Sequence, residues 1–232
     1  MEFLLDPATQ KFWFLEMNTR LQVEHPVTEA VTSVDLVKWQ IRLARGERLD
    51  LDPERALTPK GHAIECRIYA EDPDMGFMPS PGLIRGLRPA SGPGIRDDGG
   101  VAPGYRVPVF YDSLIAKLVA WGATRSEAIE RMARGLGEYQ VLGIRTTIPF
   151  FLWLMRQDSY ARGAYDTTWL DRLLDERRGA SFSELDPGEE DLAAIAVALD
   201  AYFRSSVSLG ADREGAARAM WKQAARREAL RG

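Results

Sequence analysis

Phe14-Leu15-Glu16-Met17-Asn18-Thr19-Arg20-Leu21-Gln22-Val23-Glu24-His25-Pro26-Val27-Thr28-Glu29 is the stretch whose reading decides the fold. Glu16, Asn18, Arg20, Gln22 and Glu24 recur at every second position, with Leu15, Met17, Leu21 and Val23 among the residues between them. In an extended chain that period puts all five polar side chains on one face. A solvated strand face has the same alternation, so the period alone leaves both readings open. The residue types carry more: two carboxylates, two amides and a guanidinium suit a metal-bound phosphate beside a small planar anion.

On the N-terminal side, residues 2–5 and 11–15 are apolar, aromatic-rich runs joined by Asp6-Pro7-Ala8-Thr9-Gln10, which predicts a β-hairpin with buried strands. On the C-terminal side, Val31, Val34, Val37, Ile41 and Ala44 fall at helical spacing within 29–45, and Gly46 follows as a stop. The expectation is one helix with one buried stripe. Residues 47–60, with Pro53 and Pro59, read as a linker.

Beyond it, 61–70 alternates, with Ile64, Cys66 and Ile68 on one face and Ala63, Glu65, Arg67 and Tyr69 on the other. Cys66 on the apolar side reads as a core residue rather than a nucleophile. Residues 71–104 are dense in Pro and Gly, with short strands expected at 83–87 and near Ile95-Arg96, and 114–121 is the next strand. Thr124-Arg125-Ser126-Glu127 is a capping box for a helix to about Tyr139. A second helix starts near Thr147, with Pro149 in its first turn, and 166–174 gives a short third. Strands followed by edge helices predict a mixed α+β module. After Arg177 the character changes: Asp186-Pro187-Gly188 interrupts, and 192–203 and 212–230 read as two helices of an extension that packs or links.

The chain has 232 residues, 34 acidic and 30 basic side chains, and one cysteine. That balance gives no general attraction to nucleic acid or anionic membrane. A single thiol allows neither an internal disulfide nor a multi-thiolate zinc site, and a cytoplasmic setting is expected. No apolar run is long enough to cross a bilayer.

The run from Glu16 to Glu29, followed in order by Gly61-His62-Ala63-Ile64-Glu65-Cys66-Arg67, Pro79-Ser80-Pro81-Gly82 and Tyr111-Asp112-Ser113-Leu114-Ile115-Ala116-Lys117-Leu118, resembles the biotin carboxylase family of ATP-grasp ligases. The resemblance covers residues 1–175. It implies an α+β fold in which 1–50 is the C-terminal remnant of an ATP-grasp domain, 51–176 the biotin carboxylase C-terminal domain and 177–232 a helical extension. It implies ATP-dependent carboxylation of biotin by bicarbonate through carboxyphosphate, with Mg2+ or Mn2+. By the same resemblance Glu2 and Glu16 are the paired metal ligands at the nucleotide, and Asn18 is an accessory one. Arg20, Gln22 and the Val23 backbone cradle bicarbonate, Glu24 is the general base, and Arg67 stabilises negative charge on the ureido oxygen of biotin. For Arg67 the alternative is a surface ion pair with Glu65. His25 and His62 read as structural.

The partners implied are a biotin carboxyl carrier protein or domain, a second copy in a homodimer near Arg96, and a carboxyltransferase subunit. Pro93 stands where the family often has an aromatic, a departure at the dimer contact. The resemblance also leads us to expect a truncated reading frame lacking the N-terminal half, with its phosphate flap and lysine, and hence no activity from the chain alone. The alternative is a catalytically inactive fragment that acts as an assembly or dimerisation module. Another ATP-grasp ligase, such as a carbamoyl-phosphate synthetase, is disfavoured by Gln22-Val23-Glu24-His25-Pro26 together with Glu65-Cys66-Arg67.

Overall fold

A computed structural model describes residues 1–183 and 191–202. The expected hairpin is present: β1 (Glu2–Leu5) pairs antiparallel with β2 (Phe12–Glu16), with Leu5 opposite Phe12 and Glu2 opposite Glu16. Its turn is held by the Asp6 carboxylate, which accepts from the Ala8 amide and the Thr9 hydroxyl. The strands are not buried, however. Every residue of both is exposed, including Phe3, Trp13 and Phe14.

The alternation from Glu16 to Glu24 is not one extended strand either. β2 ends at Glu16, and among the described residues no strand pairs with the chain beyond it. Without a ladder partner the backbone turns and satisfies itself locally. Thus α1 (His25–Thr32) begins directly after Glu24, with Pro26 in its first turn, where the missing N–H is no loss.

The single helix expected over 29–45 is broken in two. Ser33 adopts a left-handed backbone at φ 59°, and Asp35 caps α2 (Leu36–Ala44) by accepting from the Lys38 amide. The Glu29 carboxylate takes the Leu36 amide at 2.8 Å, whereas an unbroken helix would direct that N–H to the carbonyl four residues back. Val34 is buried, but Val37 and Ile41 are exposed, so the apolar stripe is only partly covered. The short α3 (Pro53–Leu57) interrupts the linker.

The second part is built on β3 (His62–Tyr69), β8 (Ile95–Gly99) and β10 (Leu114–Gly122), an antiparallel sheet in the order β3-β10-β8. Between them lie β4 (Glu71–Asp72), β5 (Met78–Pro79), β6 (Gly82–Leu83), β7 (Gly86–Arg88) and β9 (Arg106–Val107). After β10 come α4 (Arg125–Glu138), β11 (Gln140–Leu142), α5 (Ile148–Met155), α6 (Asp158–Ala161) and α7 (Trp169–Arg177). The third helix starts later than expected because Asp166 spends its carboxylate on the Thr168 amide and hydroxyl, making a turn first.

The two faces of the sheet differ in kind. On one, Ile64, Cys66 and Ile68 of β3 register against Ala120, Leu118 and Ala116 of β10. Ala128, Ile129, Met132 and Leu136 of α4 join them in the core. Fully burying a side chain such as Ile68, Leu118 or Met132 contributes about 1.5–3 kcal/mol, and this face anchors the module. On the other face Lys117 lies between Arg67 and Asp98, and Val119 between Glu65 and Arg96. There α1 packs against β3 and β10.

Residues Met1–Phe182 form one compact unit and Ser183–Gly232 another. In the second, 191–202 is helical, matching most of the expected helix at 192–203. The expected helix at 212–230 lies outside the described residues. Among the described residues no helix is long and apolar enough to cross a membrane.

Candidate active site

The candidate residues gather in two clusters. The first is on the hairpin edge, where the antiparallel register sets Glu2 opposite Glu16. Asn18 bridges them: its amide nitrogen donates to Glu2 Oε1 at 2.7 Å and to Glu16 Oε1 at 3.0 Å. Among the described residues no group of three or more His, Cys, Asp or Glu is placed to hold a metal ion. The two carboxylates are therefore a partial set of hard oxygen donors, with the Asn18 amide nitrogen turned to both. That fits Mg2+ or Mn2+, which is commonly held by one or two carboxylates with phosphate oxygens completing the shell.

The second cluster joins the turn before α1 to the charged face of the sheet. Arg67 Nη2 donates to Glu24 Oε2 at 2.9 Å, across 43 positions of sequence. Arg67 Nε also lies 3.6 Å from Glu65 Oε1, so its ion pair with Glu65 coexists with the contact to Glu24. Burial weighs against the Arg67 charge, but Tyr69, Glu24 and Glu65 outweigh it and hold the guanidinium above its ordinary range. Arg20 is exposed and donates to the Leu21 carbonyl, at 3.3 Å. Its fork is turned to its own backbone rather than to a carboxylate.

Gln22 and Val23 contribute backbone here. The Gln22 carbonyl lies 2.7 Å from His25 Nδ1, which ties that imidazole into the turn, as expected of a structural histidine. The Val23 carbonyl accepts from Lys117 Nζ at 3.1 Å. His62 is exposed at the start of β3. Cys66 is 2% exposed and burial pushes its thiol up, away from the reactive thiolate.

Arg96 is bound within its own chain, to Glu29 Oε2 at 2.7 Å and to both Asp98 oxygens at 2.7 and 2.9 Å. Sequence reading missed Lys117, Asp98 and Glu29 as members of this cluster. The signal available was Lys117 itself, a lone charge inside the otherwise apolar run 114–121.

Residues 1–52 match the family described as carbamoyl-phosphate synthase L chain, ATP binding domain, and residues 65–172 match the biotin carboxylase C-terminal domain. The chain belongs to the biotin carboxylase family, of which it carries the C-terminal portion. It is 51% identical over 173 residues to the biotin carboxylase of a Nostoc species, covering 75% of this chain and 38% of that one. It is 50% identical over 171 residues to biotin carboxylase 1 of Bacillus subtilis, covering 74% of this chain and 38% of that one.

Among solved structures, the biotin carboxylase domain dimer of the Hydrogenobacter thermophilus 2-oxoglutarate carboxylase, in complex with MgADP, ADP and bicarbonate, superposes with a TM-score of 0.72 at 42% identity. That match covers 79% of this chain and 39% of the other. The chain thus spans well under half the length of the relatives it matches.

Proposed function

We propose that this chain supplies the bicarbonate- and biotin-facing part of a biotin carboxylase. In this reading ATP and bicarbonate give carboxyphosphate, and the carboxyl group passes to biotin on a carrier protein or domain. The observation that carries it is the 2.9 Å contact between Arg67 and Glu24, which brings the two most distinctive motifs into one site.

Glu2 and Glu16 would hold the divalent metal with Asn18 beside them, and the metal, when bound, would neutralise charge on the phosphates. Arg20 would grip bicarbonate through its fork, with Gln22 and the Val23 backbone closing the cradle. Glu24 would take the bicarbonate proton, and Arg67 would stabilise the negative charge that develops on the ureido oxygen. Because Arg67 and Glu24 are bound to each other here, substrate entry would exchange that pair for contacts to bicarbonate and biotin.

In this reading 1–50 closes an ATP-grasp domain, 51–176 is the C-terminal domain and 177–232 an extension. The further partners, in the cytoplasm, are a second copy of the chain and a carboxyltransferase subunit.

The second reading, an assembly or dimerisation module without catalysis, is favoured by one observation, the exposed apolar hairpin. One assay separates them. ATP cleavage dependent on both bicarbonate and biotin is measured for the chain alone and after combination with the ATP-grasp part of the Bacillus subtilis relative that this chain does not match. The carboxylase reading expects turnover from the combination, abolished by Glu24→Gln, and none from the chain alone. A stable complex without bicarbonate-dependent cleavage would leave the assembly reading.

A further inference from the structure

We propose that Lys117 is a positioning residue, which fastens the Val23–Glu24 turn to the sheet so that Glu24 is presented to Arg67. The proposal rests on the reading of Glu24 and Arg67 as the reacting pair.

Lys117 stands at the centre of the charged face, opposite Arg67 on β3 and opposite Asp98 on β8. Its Nζ donates to the Val23 carbonyl at 3.1 Å and lies 3.7 Å from the Asp98 carboxylate. The side chain is 15% exposed. An ammonium so far withdrawn from water persists only where charge and hydrogen bonds replace the solvent. Two carboxylates do this. Asp98 is shared with Arg96, and Glu65 is 4% exposed with neither oxygen accepting a hydrogen bond. Glu65 therefore acts on Lys117 through its charge, and the groups facing it are Lys117, Arg67 and Glu24.

The sheet grips the start of α1 at three points: Glu24 by Arg67, Val23 by Lys117 and Glu29 by Arg96. Only the Lys117 contact is to the backbone. The Arg67 and Arg96 contacts reach side chains, which can rotate away while the chain keeps its path. A bond to the Val23 carbonyl instead fixes the peptide plane between Val23 and Glu24, and planarity turns the Glu24 N–H to the opposite side. Lys117 thus sets both where the Glu24 side chain departs and which way the turn's amides face.

Amide hydrogen exchange on the purified chain tests this without turnover. Lys117→Met keeps the stem and removes the donor. It is expected to speed exchange of the His25 and Val27 amides, which close this turn onto the Gln22 and Glu24 carbonyls, by about tenfold, the loss of one charged hydrogen bond. The Cys66, Leu118 and Met132 amides keep their rates, and Lys117→Arg restores the turn. Lys117→Gln, too short to reach Val23, gives the same local pattern should the Met variant not fold. Unchanged exchange in the turn, uniform acceleration across the sheet, or no rescue by Arg would each overturn the proposal. In the combined assay, Lys117→Met lowers kcat with KM for ATP unchanged. Failure of any variant to show carboxylase activity bears on the functional reading alone, because the exchange pattern does not need catalysis.

Discussion

Glu65 and Asp98 sit on the same charged face and are pushed in opposite directions. Burial lifts the Glu65 carboxyl above the usual range, and the charges of Lys117 and Arg67 only partly oppose it. Burial acts on Asp98 too, but the hydrogen bond from Arg96 and the charges of Arg96, Lys117 and His25 outweigh it and hold that carboxyl below its ordinary value. A raised carboxyl binds its proton more tightly in the folded state, so it costs stability as pH rises from the unfolded value through the folded one. A depressed carboxyl contributes stability above the unfolded value and loses it as pH falls through the folded one. Thermal melts from about pH 2.5 to about pH 7, a span that brackets ordinary carboxyl titration, should therefore show opposite trends. Glu65→Gln gains in Tm relative to the parent as pH rises, and Asp98→Asn loses. For Arg67, in the active combination, replacement by Ala should depress biotin carboxylation more than ATP binding. Equal losses in both would count against the role proposed for it at the ureido oxygen.

At the scale of elements, local signals were legible and remote ones were not. Thr124 and Glu127 were readable as a helix start because their bonds span only a few residues. Thr124 accepts from the Glu127 amide, and the Glu127 carboxylate accepts from the Ala123 amide. Thr124→Ala should cost about 1 kcal/mol of stability in denaturant unfolding. Gly143→Ala should cost more, because Gly143 holds φ at +105° and an added Cβ would lie 2.2 Å from the Leu83 carbonyl oxygen. The break at Ser33 had a local signal, the Asp35 cap on the Lys38 amide, but the Glu29 carboxylate that takes the Leu36 amide is itself held by Arg96, 67 positions away. Periodicity over 29–45 describes a face but not what covers it, so it joined two helices into one.

Across the whole molecule, the least expected feature is the exposed hairpin. Phe3, Phe12, Trp13, Phe14 and Leu15 are each at least half exposed, an apolar surface of the kind that marks an interaction site. The purified chain should therefore bind a hydrophobic dye through β1 and β2. Replacing Phe12 and Phe14 with Thr should lower that fluorescence, and combination with the ATP-grasp part of a relative should suppress it. Dye binding that persists unchanged in both cases would place the apolar surface elsewhere.

The amino-acid sequence by itself determined the residue types of the site, the hairpin, the strands at 61–70 and 114–121 and the family. These rest on short-range periods and on motifs contiguous in the chain. Only the tertiary structure decided that β2 stops at Glu16, that Glu24 meets Arg67 rather than extending the strand face, and that Lys117 holds Val23 from 94 positions away. The reason is physical: those contacts are set by antiparallel register across the sheet and by the packing of α1 upon it. A one-residue slip of β10 in that register would turn Lys117 to the face opposite Arg67 and Asp98 while leaving every local pattern in the sequence intact.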